Sequence, residues 1–341
     1  MIELRNDYNY IAHPKILKRL LELSEEINDG YGLDKHCFEA KRRILSLLGS
    51  CESDVHFLTG GTITNKVFIG HVLKTFEAVI AADTGHINVH ETGAIEQTGH
   101  KVLTIKNHLA KICGDDILEV LKIHTDEHMV KPKMVYISNP TEYGTIYSKK
   151  EIEDISRVCK KENLYLFVDG ARLGSALTSK DNDLTLKDLA KLTDAFYIGG
   201  TKNGALLGEA LVINNPLLNK EFRYSMKNLG GMYAKSFVTG IQFEVLFEDN
   251  LFFEIAKKEN EMANYLTKRL EENKIQIYIE SSTNQVFALF SNDEEKLIKE
   301  KVNCETFGYH NNQVIIRFVT NYLTSKEDID RLIEIVEKIR R

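Results

Sequence analysis

The chain has 341 residues, 43% of them apolar, with 50 acidic and 44 basic side chains and a net charge of −6. That length exceeds what one hydrophobic core usually holds, so a large domain with a smaller companion is expected. The acidic balance, without any basic block, argues against nucleic acid or an anionic membrane surface as partner, and the longest apolar runs are only strand-length.

The segment Met1-Ile-Glu-Leu-Arg-Asn-Asp7 lacks the apolar core of a signal peptide, which gives the expectation of a cytoplasmic protein. Five cysteines (Cys37, Cys51, Cys113, Cys159, Cys304) are odd in number and form no Cys-x-x-Cys pair. They read as reduced, mostly core-filling thiols, and imply neither a disulfide nor a metal.

In chain order, Pro14 to Asn28 carries Ile16, Leu17, Leu20, Leu21, Leu23 and Ile27 at helical spacing, with His13-Pro14 suited to a helix start. A second helix is expected over Lys35 to Leu48, closing at Gly49. Strands follow at His56 to Leu58, Ala78 to Ala81, Val102 to Ile105, Met134 to Ile137, Tyr165 to Val168, Ala195 to Ile198 and Ala210 to Ile213, with helical stretches between most of them. Alternation of this kind predicts a seven-stranded, mostly parallel α/β sheet covered on both faces. One long helical stretch, Ala234 to Asn273, leads into a different order. Strands at Ile275 to Ile279, Gln285 to Phe290, Cys304 to Gly308 and Val314 to Phe318, with helices at Asp293 to Lys301 and Ser325 to Arg340, predict a small α+β domain. The expected division is an amino-terminal arm (1–13), a large α/β domain (14–245) and a small carboxyl-terminal domain (246–341).

The chemistry-bearing residues fall just beyond predicted strand ends, the edge at which open α/β sheets bind ligands. Val168-Asp-Gly-Ala-Arg172 and Gly199-Gly-Thr-Lys-Asn-Gly204 together suggest a pyridoxal phosphate site. Asp169 would face the pyridine nitrogen, and Lys202 would form a Schiff base with the aldehyde. Leu58-Thr-Gly-Gly-Thr-Ile-Thr-Asn65 joins a strand to a helix, so Gly61 and Thr62 can cradle a phosphate at the helix N-terminus; a plain capped turn uses the same residues. His86, after the Ala78 to Ala81 strand, can stack on the ring and act as a base. His86 and His90, four apart, also have the spacing of a zinc pair, but the internal Glu of His-Glu-x-x-His is missing and no metal is expected. Asn139 can donate to the phenolic oxygen of the cofactor or simply form a turn before Pro140. Arg172 can reach the same phenolic oxygen or a substrate carboxylate, and Arg317 a carboxylate; both offer the planar grip that a carboxylate requires, while a salt bridge is the ordinary fate of either.

These residues resemble the threonine aldolase and aromatic amino acid β-eliminating lyase family of pyridoxal phosphate enzymes, and most closely its threonine aldolase branch. The resemblance runs from Leu4-Arg-Asn-Asp7 through Tyr31-Gly-Leu-Asp34, Gly61-Thr62, Asp83 with His86, Glu91-Thr-Gly-Ala94, Asp169-Gly-Ala-Arg172, Lys202 and Gly230-Gly-Met232 to Arg317-Phe-Val-Thr320. Asn65 belongs to the same resemblance. The resemblance implies the aspartate-aminotransferase-like fold (type I) and pyridoxal 5′-phosphate as cofactor. Lys202 would be the Schiff-base lysine, Asp169 the pyridinium partner, His86 the stacking base, and Gly61 with Thr62 the phosphate site. Arg172 and Arg317, helped by Asn6, would hold the substrate carboxylate. A homotetramer with active sites shared between subunits is implied as well. The sequence departs from the family pattern at Asn6, Thr64, Gly200-Thr201, Asn203, Tyr233-Ala234 and Asn321.

The expected reaction is cleavage of L-threonine or L-allo-threonine to glycine and an aldehyde. β-Elimination from another amino acid, with Lys202 as base, uses the same electron sink and stays open. A pyridoxal-phosphate-binding sensor without turnover is the non-enzymatic alternative.

Overall fold

The computed structural model describes residues 1–49, 52–106 and 109–340. Cys51 lies outside the described residues. The strands are β1 (Ile2–Glu3), β2 (Asp54–Leu58), β3 (Glu77–Ala82), β4 (Lys101–Ile105), β5 (Lys131–Ser138), β6 (Tyr165–Asp169), β7 (Ala195–Gly199) and β8 (Glu209–Ile213), followed by β9 (Ile277–Ile279), β10 (Gln285–Phe290), β11 (Val302–Asn303), β12 (Glu305–His310) and β13 (Gln313–Val319).

Strands β2 to β8 form one seven-stranded sheet in the order β2-β8-β7-β6-β5-β3-β4. All its ladders are parallel except the two made by β8. Strands β3, β7 and β8 are buried along their whole length, which is why they read in sequence as unbroken apolar runs. Because β8 runs backwards between β2 and β7, its first residue, Glu209, pairs with Leu58 and with Gly199. Glu209 therefore sits on the same edge as the carboxyl ends of the other strands.

Strands β12-β13-β10-β9 make the second, antiparallel sheet, and β1 pairs in parallel with β11. Ile2 and Leu4 are buried in the same apolar cluster as Val286, Phe290, Phe318 and Leu332. The first residues of the chain are thus stapled to the carboxyl-terminal unit, and residues 6–8 run from there into the large sheet's ligand edge.

The predicted helix over Lys35 to Leu48 is present, with Asp34 capping it and Gly49 left-handed at its end. Two helical expectations are corrected. The first helix covers Pro14–Glu22 rather than extending to Asn28. Ile27 is 98% exposed and has no apolar face to join, while Glu26 turns aside to bond His36 Nε2 at 2.7 Å. The stretch from Ala234 to Asn273 is two helices, Phe237–Leu246 and Leu251–Glu272, broken where Asp249 and Asn250 adopt left-handed φ values of 49° and 59°. Asp and Asn tolerate that conformation better than other side chains. The second of these helices places Phe252 and Ile255 in the core of the large sheet, and Met262, Leu266 and Leu270 in that of the small unit.

Candidate active site

Four loops leave the ligand edge, and each carries a residue type that the sequence singled out. Gly60, Gly61 and Thr62 follow β2, His86 follows β3, Asp169 ends β6, and Thr201 and Lys202 follow β7. With Tyr8, Glu142, Arg172, Tyr197 and Glu209 they line one chamber. An adjoining vestibule shares Tyr8, His86, Glu142, Arg172 and Lys202, and adds Thr84, His90, Gln285, Glu305 and Arg317.

Asp169 is held by four donors. Tyr136 Oη (2.6 Å) and Asn65 Nδ2 (3.1 Å) reach Oδ2, while Tyr197 Oη and Ala171 N (3.0 Å) reach Oδ1. Four donors and no acceptor form the surroundings of an anion, fixed in place and ready to meet a protonated ring nitrogen. Burial and the Asp169 charge both push the Tyr136 and Tyr197 hydroxyls well above their ordinary range, so both stay donors. The Gly in Asp-Gly-Ala-Arg has a steric cause: a Cβ on Gly170 would lie 2.0 Å from the Tyr197 carbonyl oxygen of β7.

Lys202 is buried among these groups. Burial, with the nearby Arg172 charge, lowers its amine to about 8. An amine in that range is neutral near physiological pH in a far larger fraction than an ordinary lysine, and so more available as a nucleophile. Gly200 N donates to Glu209 Oε2 at 2.8 Å, which ties the lysine turn to β8. Burial raises the Glu209 carboxyl to about 8.

The helix Gly61–Val72 begins without any side-chain cap, so its first-turn amides face the chamber unoccupied by the protein's own side chains. Asn139 is fully buried; its Oδ1 accepts from Tyr147 N at 3.1 Å, and its Nδ2 has no partner. An anion cradle, an amine of lowered basicity and an anchored carboxylate fit the phosphate, aldehyde and ring nitrogen of pyridoxal phosphate.

The structure brings Gly61, Thr62, His86, Asp169, Arg172 and Lys202 to one chamber, with Arg317 in the vestibule. Asn6 and Asn139 do not line either space. Asn6 is buried, and its Oδ1 caps the Tyr8 amide at 3.1 Å. Arg172 gives Nε and Nη2 to Asp7, at 2.6 and 3.1 Å. Arg317 is paired with Glu305 and lies 3.4 Å from Gln285 Oε1, while its Nε and the Nε2 of Gln285 are buried without partners. Sequence reasoning missed Asp7, Glu142 and Glu209. Glu142 Oε1 accepts from Ser138 Oγ (2.7 Å) and His86 N (3.0 Å), and burial raises its carboxyl. A carboxylate next to Thr141 in a post-strand turn was a visible signal; Asp7 and Glu209 had none, because their roles come from pairing across the fold.

A sequence profile of the beta-eliminating lyase family matches residues 15–293. The chain belongs to the threonine aldolase and beta-eliminating lyase family of pyridoxal phosphate enzymes. It is similar to a threonine aldolase of Leishmania major, with a TM-score of 0.98 and 44% identity over 100% of both chains. A low-specificity L-threonine aldolase of a Pseudomonas species is 29% identical over 81% of this chain and 82% of its own length. Aspartate aminotransferase of Thermus thermophilus, at 12% identity, matches 99% of this chain and 91% of its own with a TM-score of 0.74, which shows the shared fold. The family member described here is therefore a lyase built on the aspartate-aminotransferase-like architecture. Among the described residues no helix is long and apolar enough to cross a membrane.

Proposed function

We propose that this lyase binds pyridoxal 5′-phosphate in the chamber and cleaves L-threonine or L-allo-threonine to glycine and acetaldehyde. The observation that carries the reading is the pairing, in one chamber, of a buried amine lowered to about 8 at Lys202 with the four-donor carboxylate of Asp169. The family match and the resemblance to threonine aldolases support the choice of reaction.

Bound there, the cofactor supplies an aldehyde that links amino groups and a ring that withdraws electrons from the bonds at Cα. Lys202 presents the amine. Asp169 accepts a hydrogen bond from the ring nitrogen and keeps it protonated. Gly61 and Thr62 hold the phosphate, while Asn139, buried outside the chamber, steadies the turn behind it. Arg317, through its unpartnered Nε, and Gln285, through Nε2, supply two donors for the substrate carboxylate. Arg172 gives Nε–H and one Nη2–H to Asp7, which leaves the two Nη1 hydrogens and one on Nη2 for a ligand. Asn6 acts indirectly, by fixing the turn that presents Tyr8. His86 Nε2 takes the proton of the β-hydroxyl as the Cα–Cβ bond breaks.

The same reading divides the chain into an arm (1–13), a large unit (14–245) and a small unit (246–341). It also makes the protein a cytoplasmic homotetramer with shared active sites. Exposed apolar side chains near the start of the chain (Tyr8, Ile11, Tyr31, Leu33, Phe38) and the free buried thiols Cys37, Cys159 and Cys304 support those two points.

Incubation with L-threonine tests the reaction. Glycine and acetaldehyde are expected; ammonia with a 2-oxo acid would instead mark β-elimination. The purified protein should also carry a visible-edge absorbance band that Lys202→Ala removes, and absence of that band would exclude the cofactor.

A further inference from the structure

His86 is linked to Asp169 through two buried side chains that line neither the chamber nor the vestibule. Glu91 Oε1 lies 2.8 Å from His86 Nδ1, and Asn65 Nδ2 donates to the same oxygen at 2.8 Å. Asn65 Nδ2 donates also to Asp169 Oδ2, at 3.1 Å. The Glu91 side chain is wholly shielded from solvent, whereas that of His86 is 34% exposed. Glu91 Oε2 and Asn65 Oδ1 have no hydrogen-bond partner.

An ionised carboxylate only accepts. With Asn65 already donating to Glu91 Oε1, the short contact from His86 Nδ1 is a hydrogen bond donated by the imidazole, and the lone pair then lies on Nε2. We infer that Glu91 is a positioning residue that holds His86 in the Nδ1–H form with Nε2 as the proton acceptor, and that Asn65 braces it against Asp169. The arrangement fixes the tautomer and sets a buried carboxylate behind the imidazole. It also joins the two ends of the reaction. The amide that steadies the carboxylate behind the base is the amide that steadies the carboxylate under the ring nitrogen.

This inference rests on His86 being the base, so its test reads His86 without reference to cleavage. In the holoenzyme, the rate at which diethyl pyrocarbonate modifies the His86 peptide, followed by mass spectrometry across pH, gives the midpoint at which the imidazole loses its proton. Glu142, His90, Arg172 and Lys202 also face the ring, and they are the same in the wild type and the variant. In Glu91→Gln the midpoint should fall by about one pH unit, the size of effect expected from losing a neighbouring opposite charge. The acid limb of kcat/KM should move down with it, and kcat should drop roughly 10²-fold with KM and the cofactor band little changed. Coincident midpoints in wild type and variant would overturn the inference, as would an unchanged kcat. If Glu91→Gln does not fold, Glu91→Asp keeps the charge but draws it back by one methylene. A reduced kcat with a smaller midpoint shift in the same direction supports the inference, and wild-type values for both overturn it. Should His86→Asn itself retain full cleavage, the role of His86 as base fails, whatever Glu91 does to the imidazole.

Discussion

Arg172, three residues beyond the end of β6, donates from Nε and Nη2 to the carboxylate of Asp7; the Asp7 side chain is wholly shielded from solvent and that of Arg172 is 13% exposed. Asn284 Nδ2 adds a third donor to Asp7 Oδ2 at 2.9 Å. The pair ties three parts of the chain together: the amino-terminal segment, the floor of the chamber and strand β10, which begins one residue after Asn284. It also decides how much of Arg172 is left for a ligand.

Replacing Asp7 by Asn should be costly, because it leaves a guanidinium buried opposite a neutral amide. A loss of about 3–5 kcal/mol is expected, read as a lower denaturant midpoint. Burial alone would raise the Asp7 carboxyl, but the charges of Arg172 and Lys202 and the bonds from Arg172 and Asn284 outweigh it and bring it below its ordinary 3.8. A lowered carboxyl contributes stability that is present above the unfolded value and is lost as pH falls through the folded one. The gap between wild type and Asp7→Asn should hold steady near neutrality and shrink below roughly pH 4. A gap that is flat down to pH 2 would show that Asp7 is not titrating as an ion.

The buried amine of Lys202 should set the pH dependence of cofactor capture. With its proton lost near 8, the rate at which cofactor-free protein takes up pyridoxal phosphate should rise between pH 7 and 9 and then level. Stopped-flow absorbance measures it directly. A rate that is still climbing tenfold per pH unit at pH 9.5 would place the amine near an ordinary lysine.

Glu209 carries the opposite sign. Its carboxyl is raised to about 8 by burial, so between its unfolded value of 4.5 and 8 the folded protein keeps a proton that the unfolded chain has lost. Stability from this group is complete below 4.5 and is lost as pH rises through 8. Glu209→Gln stays neutral throughout. Its unfolding free energy relative to wild type should therefore increase steadily from pH 5 to pH 8, by an amount on the order of a few kcal/mol. Parallel curves for the two proteins would sink this expectation.

Gly170→Ala should disturb the site from below. The added methyl meets the Tyr197 carbonyl, a backbone atom that cannot rotate away, so β6 and β7 must separate. A cost of roughly 3 kcal/mol or more is expected. Because Asp169 precedes the change and is bonded to Tyr197 Oη, kcat should fall even at temperatures where the variant is folded. Wild-type kcat in the folded variant would mean that the two strands can absorb the methyl without moving Asp169.

The sequence by itself determined the elements and their edge. Buried strands are short runs such as Ala195 to Ile198, legible because burial on both faces removes polar alternation; β4, at the sheet edge with one buried residue, lacks that support. Helix ends at Asp34 and Gly49 were legible because capping is local chemistry. Lys202, Asp169, His86 and the Gly61-Thr62 turn were legible because function at a strand end uses distinctive residue types within a few positions. Tertiary structure alone decided the rest. Nothing near Asp7 in sequence marks it as the partner of Arg172, 165 positions away. The reversed direction of β8, which carries Glu209 to the ligand edge, is fixed by ladders with β2 and β7 rather than by its own residues. Likewise the end of the first helix depended on whether Ile27 had anything to pack against, and it does not. Local propensity and turn chemistry act over a few residues, so a single sequence shows them. Ion pairs, strand order and the burial of carboxyl groups arise from contacts between distant segments, and exist only once the chain has folded.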